Sequence, residues 1–308
     1  MDGILNFNKP SGKTSFNIVA MVKRLTGEKH VGHAGTLDPM AQGVLPVCLG
    51  QATRLVEYLM DANKTYLAEI ELGVSTDSYD REGEITQRGD ASGITLEQIK
   101  TALNAFRGVI TQIPPMYSAV KHQGKPLYEL ARAGINVERK SRIAKIYSLE
   151  IKDWQYPVLT IEVVCGKGTY IRSLANDLGQ ALGCGASLKN LERSRCGIFE
   201  IGDAVTPERF EDACRGGYWE SYLYPMDSIL SHWETVIVGA EKAQAIRNGV
   251  LISLEESALK LGNDHCRAYT WDGNLLGILH FDTEKKQWQP EKVFGTVVSG
   301  CNHVLYSL

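Results

Sequence analysis

Asp38 is the only acidic side chain in GHAGTLDPMAQGVLPV (residues 32–47), where it stands between Leu37 and Pro39 with glycines at positions 32, 35 and 43. A carboxylate so placed can do one of two jobs. It can cap a helix, accepting an N–H bond from the second or third residue with Pro39 at the first. On the Asp-Pro dipeptide alone that is the commoner reading. It can also be a reagent. Pro39 holds Asp38 extended, the glycines let a substrate backbone come close, and any helix starting at Pro39 must end by Gly43. So short a helix hardly needs a specialised cap.

Arg172, in GKGTYIRSL, falls in the first turn of a helix that Thr169 would cap. There the helix dipole disfavours a cation by some tenths of a kcal/mol, roughly, so an anion should compensate it. An RNA phosphate would do, and so would a buried carboxylate, whose pKa a neighbouring Arg lowers by about one to three units. A plain surface ion pair is the equal alternative. Tyr66 in KTYLAEIEL and Tyr170 beside Arg172 read singly as core aromatics. Together they also offer the flat faces of a base pocket, where stacking contributes about 1 to 3 kcal/mol per base.

Other patterns fail on their spacing. GKT at 12–14 ends like a phosphate-binding loop, but Phe7 stands where that loop needs a glycine. His30 and His33 are three apart without a nearby Cys, Asp or Glu set to complete a metal site. Cys48, Cys165, Cys184, Cys196, Cys214, Cys266 and Cys301 form no CxxC pair and are odd in number. They argue against a disulfide framework or a zinc site and for a reducing cytoplasm. No apolar run is long enough to cross a bilayer, and no export signal opens the chain.

The elements that must position these residues are legible in outline. The 308 residues, 44% hydrophobic and 22% charged, suffice for two domains. Ile4 to Phe7 reads as a strand, and Thr14 or Ser15 caps a helix carrying Ile18, Val19, Val22 and Leu25. Residues 66–72 alternate as a half-buried strand. Thr95 and Gln98 form a capping box. Residues 159–185 read strand, tight turn, helix, glycine stop. Without a steady βαβ rhythm the fold class is α+β with a mixed sheet. From about residue 201 the texture changes, and 233–294 read as a compact, β-rich unit: WETVIV as a strand, AEKAQAIRNG as a helix, and a hairpin around Asp272 and Gly273.

Charge is segregated beneath a net of −3. Residues 101–200 hold 14 basic and 8 acidic residues, and 121–145 alone hold 7 and 2. Such a stretch suits a phosphate-bearing partner, although a solvated face is an equally common origin. Residues 61–100 are acidic, with 4 basic and 9 acidic residues.

With GHAGTLDPMAQGVLPV, KTY (64–66), QIPPMYSAVKHQGKPLYELAR (112–132) and GKGTYIRSLANDLGQALGCGASLKNLERSRCGIF (166–199) in this order, the chain resembles the TruB family of tRNA pseudouridine synthases. The resemblance covers roughly residues 3–200. It implies a pseudouridine synthase catalytic domain over 1–230, an RNA-binding insertion at about 107–145, and a PUA-like C-terminal domain over 231–308. It makes Asp38 the catalytic aspartate, Tyr66 the residue stacked on the target base, and Arg172 the partner of Asp38. Tyr170 and Leu191 become pocket walls, and His33 lies against the RNA. Lys9 lies near the site, and Lys121 and Lys125 grip RNA.

The implied reaction turns the T-loop uridine, conventionally position 55 of tRNA, into pseudouridine. It is an isomerisation, needing no cofactor, metal or ATP. The base must first be flipped out, at a cost of a few kcal/mol, roughly. The motifs hold one carboxylate, whereas glycosidic chemistry commonly uses two. A uracil anion is a tolerable leaving group, so Asp38 alone can suffice. Whether it attacks C1′, attacks C6 or assists glycal formation stays open, and the Tyr66 hydroxyl is a candidate base for the C5 proton. A non-catalytic tRNA-binding or folding protein is the main alternative. A carboxylate glycosidase or phosphate-binding enzyme for small molecules, which a second acid in the Asp38 pocket and indifference to RNA would favour, and a guide-RNA-dependent relative are lesser ones. The expected partner is the T arm of tRNA, without membrane or protein partner, acted on by a monomer in the cytoplasm.

Overall fold

The protein is described here by a computed structural model, which covers residues 1–254 and 264–295. Cys301 lies outside the described residues. Ten strands form one mixed sheet. Its main path runs Leu223–Tyr224, Gly3–Lys9, Gln42–Leu49, Ala186–Cys196, Lys64–Leu72, Val158–Cys165, Arg142–Gln155, Gly108–Gln112. Val31–His33 and Phe199–Glu200 pair onto its flanks. Every pairing on the path is antiparallel except one: Ala186–Cys196 runs parallel to Gln42–Leu49, with Glu192 opposite Gln42 and Arg193 opposite Gly43. A Cβ on Gly43 would sit 2.3 Å from the Arg193 carbonyl oxygen, so only glycine lets these strands meet. That seam brings the Asp38 loop beside Leu191 and Arg193.

Helices Ser15–Thr26, Leu96–Asn104, Ile171–Ala181 and Pro207–Gly216 cover the sheet. Leu5, Phe7, Leu45, Ala68, Ile70, Ile161, Leu174 and Leu178 share one core. Thr14, rather than Ser15, caps the first helix, in a reciprocal box with Asn17. Thr95 and Gln98 cap Leu96–Asn104 in the same way. Helix Ile171–Ala181 starts one residue later than the sequence suggests: Tyr170 is its N-cap and supplies no side-chain bond. The Thr169 hydroxyl instead donates to the Gly166 carbonyl at 3.1 Å, closing the glycine turn. Gln112 holds the Tyr170 backbone at both its N–H and its carbonyl (3.0 and 3.1 Å).

Residues 113–141 are inserted between the paired strands Gly108–Gln112 and Arg142–Gln155. They carry a ribbon, Lys121–His122 with Lys125–Pro126, and the short helix Leu127–Arg132. The ribbon turns at Gln123 (φ 50) and Gly124 (φ 87). Four strands, Glu234–Val238, His265–Thr270, Leu275–Asp282 and Gln287–Val293, form the small C-terminal sheet over Val236, Ile246, Cys266, Leu279 and Trp288. Its hairpin closes with the Gly273 N–H on the Thr270 carbonyl. No helix among the described residues is long and apolar enough to cross a membrane.

Candidate active site

Asp38 lies in the loop between Val31–His33 and Gln42–Leu49, followed by a turn at Pro39–Met40 that the Ala41 N–H closes on the Asp38 carbonyl. No helix starts there. The carboxylate instead accepts a hydrogen bond from Nη2 of Arg172 at 2.9 Å, while Arg172 Nε lies 2.9 Å from its other oxygen, off the N–H axis. Arg172 is only 5% exposed, and Asp38 keeps 33% of its side chain open to the clefts beside it.

Arg172 has a second anionic partner. Nη1 lies 3.3 Å from Asp80 Oδ2, and Nη2 also donates to the Tyr117 carbonyl at 2.8 Å. Asp80, likewise 5% exposed, accepts from Ser78 Oγ at 2.6 Å and from the Glu82 N–H at 3.0 Å. One buried cation in the first turn of a helix is therefore clamped between two carboxylates and a carbonyl, which offsets the unfavourable dipole. Burial pushes the Asp38 carboxyl above its usual range; Arg172 opposes this and the like charge of Asp80 reinforces it. The direction is the reverse of the lowering expected from an Arg neighbour alone.

Two clefts meet at Asp38. The first, about 260 Å³, is walled by Tyr66, Tyr170 and Leu191, with Arg172, Arg193 and the 166–169 turn around it. The second, about 850 Å³, is lined by His33, Phe16, Asp77, Asp80, Tyr128 and Arg132 among others. Burial lowers the His33 pKa, with the Arg193 charge a lesser cause, and its Nδ1 is buried without a partner. Burial pushes the Tyr66 phenol up to about 12, partly opposed by Arg193. The arrangement offers an ionisable carboxylate at the mouth of a small, aromatic-walled pocket, with space beyond for a larger molecule.

Residues 23–171 match the N-terminal domain of the TruB family of pseudouridylate synthases, and residues 172–231 match the C-terminal domain of tRNA pseudouridylate synthase B. A tRNA pseudouridine synthase B of Dehalococcoides mccartyi is 48% identical over 294 residues, covering 96% of this chain and 97% of that protein. The chain belongs to the TruB family. A tRNA pseudouridine synthase B of Clostridium kluyveri is 43% identical, covering 90% of this chain and 95% of that protein. Among solved structures, an H/ACA RNP bound to a substrate RNA containing 2′-deoxyuridine aligns with a TM-score of 0.70 at 25% identity, covering 96% of this chain and 85% of that one. A Cbf5-Nop10-Gar1 complex aligns with a TM-score of 0.70 at 27% identity, covering 94% and 84%.

In this TruB-family chain Asp38, Arg172, Tyr66, Tyr170 and Leu191 converge on one cleft, and His33 on its neighbour. Lys9 does not join them. It is wholly buried, and its ammonium donates to the carbonyls of Pro10, Lys13 and Pro39 (3.0, 2.6 and 3.3 Å), beneath the Asp38 loop. Burial lowers its pKa to about 8, and no N–H remains for a substrate. Lys121 and Lys125 stand exposed on the insertion ribbon, outside both clefts. Sequence reading singled out neither Asp80, which lies outside the motifs, nor Arg193, which lies inside the 166–199 motif. The signal for Asp80 was the helix-dipole argument itself, since a first-turn cation buried among apolar residues calls for more than one anion.

Proposed function

We propose that this TruB-family chain binds the T arm of tRNA, flips the uridine at position 55 into the smaller cleft, and isomerises it to pseudouridine with Asp38 as the reacting carboxylate. The observation that carries the reading is a carboxylate held by Arg172 at the mouth of a pocket walled by Tyr66, Tyr170 and Leu191. Tyr66 and Tyr170 give the base its stacking faces. His33 faces the space that the extruded nucleotide leaves. Asp80 is not free to serve as a second acid, because its oxygens are taken by Ser78, Glu82 and Arg172; it acts on Asp38 through the shared arginine. The chain acts as a monomer, with RNA as its only partner.

The direct test is a T-arm stem-loop tritiated at uridine C5, incubated without cofactor. Tritium released to water supports C5 substitution. RNA binding without release would leave a folding or binding protein instead.

The pH dependence has a definite sign. Asp38 must be ionised, and its pKa is held above the usual carboxylate range, so kcat/KM falls as pH drops through that raised value. Asp80→Asn removes a like charge that raises it, and the acid limb should move to lower pH. A limb that stays put would mean that another group titrates.

Lys121 and Lys125 contribute on the RNA side. Changing either to Ala should weaken T-arm binding with little change in kcat, and reduce the slope of log K against log salt by about one per residue. An unchanged slope, followed by filter binding across salt concentrations, would remove them from the RNA interface.

A further inference from the structure

Arg193 is a buried cation that the pairing of Asp38 with Arg172 leaves unused. Strand Ala186–Cys196 sets it directly opposite Tyr66 on strand Lys64–Leu72, and side chains so paired share a face of the sheet about 5 Å apart. At 1% exposure it leads the largest wholly buried side chains. Nε donates to the Val44 carbonyl at 2.6 Å and Nη2 to the Gly35 carbonyl at 2.9 Å. Among the described residues no carboxylate pairs with it. A guanidinium cannot shed its proton, so this charge persists without a counter-ion.

Nη1 makes neither carbonyl bond. Arg193 lines the smaller cleft together with its strand neighbour Tyr66. A Cβ on Gly35 (φ +77) would crowd Nη1 at 3.1 Å, so the glycine leaves that N–H edge clear. The other cations lining the cleft are occupied. Lys64 donates to the carbonyls of Leu59, Met60 and Ala62. Arg172 holds two carboxylates, and Lys167 pairs with Asp61. Of the cations lining this cleft, Arg193 is the one held by neither a carboxylate nor three carbonyls.

Building on the functional reading above, we propose that Arg193 is a catalytic residue whose guanidinium, buried at the cleft without a counter-ion, holds the negative charge of the uracil ring while the ring is detached from ribose. In the direct route an Asp38 oxygen bonds to C1′ as the N1–C1′ bond breaks, and the electron pair stays on the ring. The charge spreads over N1, O2 and O4. The ring turns, C5 displaces the Asp38 oxygen from C1′, C5 loses its proton and N1 takes one up, so atoms and charge balance. A glycal route opens the same bond and frees the same anion. A fixed cation in a pocket that excludes water stabilises charge where it develops.

The experiment compares T-arm RNAs carrying uridine or 5-fluorouridine at the target, following consumption of that nucleotide in single turnovers. Fluorine withdraws electrons and stabilises the ring anion, so the base depends less on an external cation. Arg193→Gln should slow uridine about 10²- to 10³-fold and 5-fluorouridine about tenfold or less. Equal slowing of both substrates by an RNA-binding variant would overturn the proposal, leaving Arg193 as a tie between Val44 and Gly35. If Arg193→Gln does not fold, Arg193→Lys decides. Slowing greater for uridine than for 5-fluorouridine supports a charge role, and equal slowing again overturns it. A wild type that leaves uridine untouched would defeat the functional reading and this proposal with it, a result distinct from equal slowing by an active enzyme.

Discussion

Asp38→Asn should abolish tritium release from the T-arm RNA, by about 10⁴-fold or more, while the variant still folds and binds that RNA. The substitution keeps the size of the side chain and an oxygen that can accept from Arg172 Nη2. It removes the charge and the nucleophilicity that attack at C1′ or C6 requires, and the basicity that a glycal route requires. Stability should change little, because Arg172 keeps Asp80 as counter-ion and the Tyr117 carbonyl as acceptor. Parallel measurements of tritium release, filter binding and thermal melting separate these effects. Release at the wild-type rate would make Asp38 a structural residue, and loss of binding together with activity would make it part of the RNA site.

The fold was most legible where the signal is local. Thr95 announces its helix through a box with Gln98, Ile18, Val19, Val22 and Leu25 announce theirs by spacing, and Asp272-Gly273 announces the C-terminal hairpin. Residues 66–72 show their strand by alternation alone. The site was legible only where a motif held both chemistry and context, as for Asp38 and Arg172. Asp80 was not, because it stands among nine acidic residues in 61–100 and is set apart only by meeting Arg172, 92 residues further on. Lys9, which the resemblance puts near the site, is buried where the Pro-Ser-Gly turn and the Asp38 loop bring three carbonyls to its ammonium. Arg193 looks like one more charge in LERSR, and only the parallel seam at Gly43 turns it into the floor of a pocket. In each case a long-range pairing decided burial, and such pairings leave no period in the chain.

Arg172→Met should cost both stability and activity, through the same two carboxylates. Removing the cation leaves Asp80 buried and Asp38 half enclosed with no positive partner, and breaking a buried pair from one side costs about 3–5 kcal/mol. The unfolding midpoint in urea should fall accordingly. The Asp38 pKa should rise further, because Arg172 is the main influence holding it down, and the acid limb of any residual activity should shift upward. Arg172→Lys separates the two effects. An ammonium keeps the charge and part of the stability, but as a compact point charge it cannot span Asp38, Asp80 and the Tyr117 carbonyl at once, so activity should stay low. Adding Asp80→Asn to Arg172→Met should restore part of the lost stability by removing one unpaired charge, and little of the rate, giving a non-additive cycle. A variant Arg172→Met that unfolds at the wild-type urea concentration would mean that neither carboxylate depends on the arginine, and the clamp would then have no energetic content.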